Sequence, residues 1–306
     1  MTADRQTAAR PPRRILVTGG AGFVGSRTVA RLAARGDVPV VLDDGSAGLP
    51  IPSQAVAAPG DVRRPEDVAR AFSFGPIDGV LHLAAIHHIP TCAAEPRRAL
   101  DVNVIGTQTV LDAAARHGVG AVAIASSGAV YAPIDGPLAE DAPLSPLDTY
   151  ALGKLANEHQ LAVWTGRGGG RGRAARLFNV LGPGDPNAHL VPDILNRLAA
   201  AAAAVPGGDL VLPMGNIHTR RDYLHVDDAA EGLIALLDEA MGGGEPGFLA
   251  VNLCRGEERR TTWIAETTAR LAGLSARVES RADLMRPVDR PSQLGDPARA
   301  LARLGW

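Results

Sequence analysis

R-I-L-V-T-G-G-A-G-F-V-G, Arg14 to Gly25, runs an apolar stretch straight into glycines and then into a helix pattern that continues from Phe23 to Arg35. Ile15 to Val17 show no polar alternation, which suits a strand buried on both faces of a sheet. The glycines parse as G-x-G-x-x-G through Gly20, Gly22 and Gly25, or as G-x-x-G-x-x-G through Gly19, Gly22 and Gly25. In either parsing they let the main chain approach a pyrophosphate while the helix N-terminus presents unpaired N–H groups. Strand, spacing and helix together make a dinucleotide fingerprint, which a bare glycine triplet would not. Gly25 is expected to serve close packing of helix on strand.

Outward from this stretch, strands and helices alternate. V-P-V-V-L-D reads as a second strand, P-E-D-V-A-R-A-F opens a helix, and G-V-L-H-L-A-A is a further strand. A helix from about Arg97 to His117, strand A-V-A-I-A-S-S, a helix carrying Tyr150 and strand R-A-A-R-L-F-N follow. This order predicts an α/β, doubly wound parallel sheet, with ligands beyond the carboxyl ends of the strands. Candidate site residues stand at those ends: Thr18-Gly19, Asp43, Ala84-Ala85, Ser126-Ser127 and Phe178-Asn179. Asp43 can accept hydrogen bonds from an adenosine ribose and would repel a 2′-phosphate, favouring NAD over NADP. Asp44 either shares that ribose or caps the turn. Asp61 and Val62 either flank an adenine or belong to a plain turn.

The 306 residues allow a large core in one or two domains. A net charge of -2 gives no electrostatic case for nucleic acid or anionic membranes. No apolar run is long enough to span a bilayer, and two cysteines, Cys92 and Cys254, without metal-ligand spacing fit a reducing cytoplasm and no metal site. Residues 1–12 read as a disordered tail. Residues 13–179 form the expected cofactor domain, with 221–240 returning to it, and 180–306 a smaller α/β substrate domain. Gly166 to Gly172 reads as a loop, Ala199 to Ala204 as a helix end, and Asp193 as the start of that helix.

S-P-L-D-T-Y-A-L-G-K, Ser145 to Lys154, sets Tyr150 and Lys154 four residues apart behind a capping Asp148 or Thr149. A desolvated ammonium beside a phenol would favour phenolate, whose reference pKa is about 10; alternatively the two merely share a helix face. Taken with T-G-G-A-G-F-V-G-S, H-L-A-A, N-V-I-G-T, S-S-G-A-V-Y and R-D-Y-L-H-V-D-D in that order, the chain resembles the NAD-dependent sugar-nucleotide epimerase/dehydratase family of extended short-chain dehydrogenase/reductases. The resemblance runs from about Arg13 to the C-terminus and is closest to UDP-sugar 4-epimerases.

The resemblance implies a Rossmann-type sheet with NAD as cofactor, held by Gly19, Gly22, Phe23, Val24, Asp43, Asp44, Asp61, Val62, Leu83, Ala84, Ala85, Asn103, Tyr150 and Lys154. It makes Tyr150 the general base, with Lys154 lowering its pKa and Ser127 holding the reacting oxygen. Asn103 would support the Lys154 region through its backbone or a water, or is simply a buried structural asparagine of its helix. A nucleotide-diphosphate sugar would meet His87, Ser127, Asn179, Val191, Arg221, Arg286 and Asp289. His87 and Gln293 depart from residues common among the 4-epimerases; His87 or His88 either touches the sugar or diphosphate or only packs a loop. The family's 4,6-dehydratases carry Asp-Glu after the catalytic hydroxyl, where Gly128 and Ala129 stand here, so 4-epimerisation of a UDP-hexose or UDP-hexuronate is expected. A dehydratase or decarboxylase with relocated acid-base groups, and a non-catalytic NAD-binding sensor, are the alternatives. A homodimer through a bundle that includes the Tyr150 helix is also implied.

Overall fold

The structure, a computed structural model, describes residues 11–187, 189–204, 210–285 and 289–306. Most of the expected tail and Arg286 therefore lie outside the described residues, while Pro11 and Pro12 are exposed and without regular structure.

The strand opened by the quoted stretch, β1 (Arg14–Thr18), is flanked by β2 (Val38–Asp43) and β4 (Gly79–His82), with β3 (Val56–Pro59) beyond β2. On the other side β4 is followed by β5 (Ala121–Ser127), β7 (Arg171–Leu177) and β11 (Gly247–Leu253), every pair parallel. The order β3-β2-β1-β4-β5-β7-β11 reverses direction between β1 and β4, which opens a crevice at their carboxyl ends. Pro39 is tolerated in β2 because pairing with β3 begins only at Val40.

Successive β1 side chains enter opposite cores. Leu16 joins Val40, Val80, Val122 and Ile124 under helices α2 (Pro65–Phe72), α5 (Gly106–Arg116) and α6 (Thr149–Trp164). Ile15 and Val17 join Val41, Leu81 and Val251 under α1 (Phe23–Ala34), α8 (Val226–Met241) and α10 (Ala298–Leu304). Both faces are thus buried, as the unbroken apolar run requires. The chain returns to this sheet after residue 180 with α8 and also with β11 and α10, so the segment expected to return, 221–240, is only part of what does.

Against the crevice lies a second, smaller layer. β10 (Arg220–His225) pairs with β12 (Glu258–Arg260), β14 (Ser292–Gly295) and β8 (Asn179–Leu181), and β14 with β6 (Pro137–Leu138). β9 (Leu210–Met214) and β13 (Ala276–Ser280) pair beside α7 (Leu190–Ala204) and α9 (Thr261–Leu271) over a core that includes Ile194, Leu198, Leu212 and Ile264.

Several boundaries differ from expectation. β4 stops at His82 instead of Ala85, because the Ala84 N–H turns to the Thr18 hydroxyl at 3.2 Å and leaves the ladder. The helix expected from Arg97 is α4 (Pro96–Leu100) after a short α3 (Ile89–Ala94), then a π-helical turn over Asp101–Ile105 that runs into α5. The glycine-rich loop is shorter than Gly166 to Gly172: α6 continues as a π turn, Gly168 leaves it at φ +86°, and β7 takes Arg171 and Gly172. α7 begins at Leu190, ahead of Asp193.

Candidate active site

A cavity of about 910 Å³ occupies the crevice and is lined from both layers. Its floor at the sheet switch is the glycine turn. Gly19 has φ +69°, and a Cβ there would stand 2.7 Å from the Ala84 nitrogen. Gly22 is the residue before α1, whose first turn, Phe23 and Val24, faces the cavity. A Cβ at Gly25 would stand 2.0 Å from the Gly19 oxygen, so this glycine lets the helix sit on the turn.

Asp43, at the end of β2, accepts from the Ala21 N–H at 2.9 Å and the Gly45 N–H at 2.8 Å, bracing the glycine turn while lining the cavity. Asp44 also lines it and accepts from the Ser46 N–H at 2.9 Å, a turn-capping contact. Asp61 and Val62 lie there too. The Arg63 guanidinium engages Asp61 through both carboxylate oxygens and, against the effect of burial, holds its pKa below the ordinary value. Leu83, Ala84 and Ala85 complete this half.

Asn103 does not reach the cavity. From the π turn its side chain accepts from the Ile86 N–H at 2.8 Å and donates to the Ile86 oxygen at 2.9 Å, fastening the loop after β4, while its main-chain oxygen accepts from the Asn157 amide, on α6 beyond Lys154, at 2.6 Å.

Ser127, Tyr150 and Lys154 converge on the same cavity from the end of β5 and the start of α6. Asp148 caps α6, accepting from the Ala151 N–H at 2.8 Å. The Lys154 ammonium donates to the Ala125 oxygen at 2.8 Å and stands 5.8 Å from the centre of the Tyr150 ring. Burial pushes the phenol up to about 12, with a hydrogen bond to Ser127 acting the other way. Burial likewise lowers Lys154 to about 8.

Of the expected substrate contacts, His87, Asn179, Val191, Arg221 and Asp289 line the cavity, as does Gln293. Arg221 donates to Asp289 at 2.6 Å, so those two are brought together as a pair. Asn179 donates to the Asp222 oxygen at 3.1 Å across β8 and β10. A Cβ on Gly128 would be 3.1 Å from both Gln293 Nε2 and Phe178, leaving no ready space there for a longer side chain.

Sequence reasoning missed a cluster beside His87. The His189 ring centre lies 5.1 Å from that of His87, and its Nδ1 is 2.7 Å from Asp185 Oδ2. Asp185 is fixed by the Asn187 N–H at 3.0 Å and the Asn187 amide at 2.9 Å. Burial, and then the charges of His189 and Lys154, lower His87 to about 4 and keep it neutral. The D-x-x-x-H spacing of Asp185 and His189 was the available signal.

With this geometry in view, the model of the NAD dependent epimerase/dehydratase family matches residues 15–254. The chain belongs to that family. NAD is accordingly its cofactor, and it is an enzyme. The site fits NAD: a glycine turn closed to any Cβ, a helix N-terminus and an acceptor carboxylate lie along one cavity. Among family members, the chain is 32% identical to the UDP-glucose 4-epimerase of Azospirillum brasilense, over 98% of this chain and 88% of that one. The UDP-glucose 4-epimerase of Thermus thermophilus, in complex with NAD, superposes with a TM-score of 0.82 at 30% identity, covering 96% of this chain and 93% of the other. MoeE5 in complex with UDP-glucuronic acid and NAD superposes with a TM-score of 0.81 at 28% identity, with coverage of 96% and 93%. Among the described residues no helix is long and apolar enough to cross a membrane.

Proposed function

We propose that the chain is a nucleotide-sugar 4-epimerase acting on a UDP-hexose or UDP-hexuronate by transient oxidation at C4. The observation that carries this is the meeting of Ser127, Tyr150 and Lys154 in the cavity of the glycine turn, with Gly128 and Ala129 beside them unable to move a proton. The similarity to UDP-glucose 4-epimerases and to a protein holding UDP-glucuronic acid supports the two sugar classes.

In this reading Gly19, Gly22, Phe23 and Val24 take the pyrophosphate of NAD, Asp43 and Asp44 its adenosine ribose, and Asp61 and Val62 its adenine. Leu83, Ala84, Ala85, Tyr150 and Lys154 flank its other end, and Asn103 acts indirectly by fixing the Ile86 loop. NAD supplies a hydride acceptor that later becomes the donor. Ser127 holds the sugar C4 oxygen while Tyr150, as phenolate, takes its proton; C4 loses a hydride and becomes a ketone. With NAD bound, return of the hydride to the other face of the ketone would complete the inversion, and Tyr150 would give the proton back. Arg221, paired to Asp289, together with Asn179, Val191 and Arg286, holds the nucleotide diphosphate, for which arginine's planar fork is suited.

The test is incubation with UDP-, dTDP- and GDP-sugars in deuterated water, followed by mass and NMR analysis. Epimerisation by hydride return gives a product of unchanged mass with no solvent deuterium at carbon. Loss of water or carbon dioxide, or deuterium on carbon, would instead favour a second reading, in which His87, His189 and Asp185 act as relocated acid-base groups. The cluster at 5.1 Å and 2.7 Å is the observation behind that reading.

A homodimer is part of the proposal. Leu152 and Val163 lie eleven residues apart on α6, and Ile105 precedes α5; each is more than half exposed, at 51%, 53% and 54%. An apolar face of this kind on the two helices supports a two-fold bundle. Leu152→Glu should yield monomers in size-exclusion chromatography with light scattering. Two free, buried cysteines, Cys92 and Cys254, are consistent with a cytoplasmic setting.

A further inference from the structure

Beneath the cavity runs a file of buried polar side chains, none of which lines it. Thr18 Oγ1 is 2.7 Å from His82 Nδ1, and His82 Nε2 is 2.8 Å from Thr107 Oγ1. Thr107 donates to the Asn103 oxygen at 2.6 Å and accepts from the Asn157 amide at 2.9 Å; the same amide donates to the Asn103 oxygen at 2.6 Å. At the other end Thr18 accepts from the Ala84 N–H at 3.2 Å. Thr18, His82, Thr107, Asn103 and Asn157 are all buried.

The directions of these bonds follow from the protons available. Burial, and then the charge of Lys154, lower His82 to about 3, so its ring is neutral and carries one N–H. With that proton on Nε2, His82 donates to Thr107, whose own proton goes to Asn103, and Thr18 donates to the bare Nδ1. Every hydroxyl proton then has an acceptor. The opposite tautomer would leave the Thr18 hydroxyl, which already accepts from Ala84, facing a donor.

We propose that His82 is a positioning residue that fixes the glycine turn against the Tyr150–Lys154 helix. The file joins four segments that build the cavity. Thr18 leads into Gly19, and Ala84 is at the cavity wall. Asn103 clamps Ile86, and Asn157 lies on α6 one turn beyond Lys154. A single imidazole between two hydroxyls therefore sets the spacing between the NAD-binding edge and the catalytic side chains. The kinetic part of this inference rests on the 4-epimerase reading; the part concerning NAD does not.

The test compares His82→Leu, Thr107→Val and Thr107→Ser with the wild-type chain. NAD affinity is measured by titration, turnover by kcat and KM on the nucleotide sugar found active, and stability by melting temperature. Misplacement of about 1 Å can cost about a hundredfold in rate. His82→Leu and Thr107→Val are therefore expected to weaken NAD affinity and lower kcat by about tenfold or more, with KM for the sugar nearly unchanged. Thr107→Ser, which keeps the hydroxyl, should restore both. The proposal is overturned if His82→Leu and Thr107→Val lower only the melting temperature, or if Thr107→Ser behaves like Thr107→Val. If His82→Leu does not fold, the two threonine variants decide. If the wild-type chain turns over no nucleotide sugar, the 4-epimerase reading fails while NAD affinity still decides this one.

Discussion

Replacing Glu158 by leucine should destabilise the fold by about 3–5 kcal/mol, the cost of leaving a buried charge without its partner. Glu158 lies on α6, two turns beyond Tyr150, and its carboxylate takes both arms of Arg176, from Nε at 2.9 Å and Nη2 at 2.8 Å. It also accepts from the Ser126 hydroxyl at 2.5 Å. Only 4% of each charged side chain is exposed, so water cannot replace the lost carboxylate. Arg176 would keep the Tyr131 hydroxyl and the Glu140 oxygen, both at 2.9 Å, which satisfy donors but not charge. At about 2 °C per kcal/mol for a chain of this size, melting followed by circular dichroism should fall by about 6–10 °C. The double variant Glu158→Leu/Arg176→Met removes both charges and should recover most of the loss. A loss below about 1 kcal/mol in the single variant, or a double variant no more stable than the single one, would refute the argument.

Tyr150→Phe should lower kcat by about 10²–10⁴-fold while nucleotide-sugar and NAD binding stay near normal, as steady-state kinetics and titration would read. Gly25→Ala places a Cβ 2.0 Å from the Gly19 oxygen; it should cost about 1–3 kcal/mol in urea unfolding and weaken NAD binding as the turn is displaced. Lys154 titrates near 8 in the folded chain against 10.5 as its ordinary value. The unfolded state then binds more protons between these values, so this group's contribution makes stability rise as pH goes from about 8 to 10.5. The thiols of Cys92 and Cys254 and the phenols of Tyr131, Tyr150 and Tyr223, all held up by burial, act in the opposite sense above about pH 9, so the Lys154 contribution is read as the difference in urea-unfolding stability between the NAD-free wild-type chain and Lys154→Met, which should grow in favour of the wild type from about pH 8 upward. NADPH should not be consumed stoichiometrically by the enzyme with a nucleotide sugar, as absorbance at the reduced nicotinamide band would show, since Asp43 opposes a 2′-phosphate.

The sheet was legible because its strands are buried on both faces, and Ile15, Leu16 and Val17 can be uniformly apolar only in that setting. The helices were legible from caps such as Asp148 and from their period. What escaped was charge placed where composition does not point. Arg173 and Arg176 read as two of many scattered arginines, yet both are buried, and Arg173 is held by Glu239 and by the oxygens of Glu245 and Gly247. Their partners are 66 and 18 residues away, and no local pattern announces such pairings. His82 was visible only as part of H-L-A-A, because its role depends on two threonines, at 64 and 25 residues' distance.

The Tyr150–Lys154 pair shows where spacing stops being informative. Four residues on a capped helix bring the two side chains to one cavity, as the sequence leads one to expect. Spacing is silent, however, on the desolvation that both groups share, which acts against the ammonium's attraction for a phenolate. Burial favours the neutral form of each, raising Tyr150 to about 12 and lowering Lys154 to about 8. The Lys154 ammonium, moreover, is turned towards the Ala125 oxygen. Burial thus works against the phenolate, while Lys154, at about 8, still carries its charge at neutral pH. The proposed use of Tyr150 as a base therefore leans on that charge, 5.8 Å from the ring centre, to offset what burial costs the phenolate.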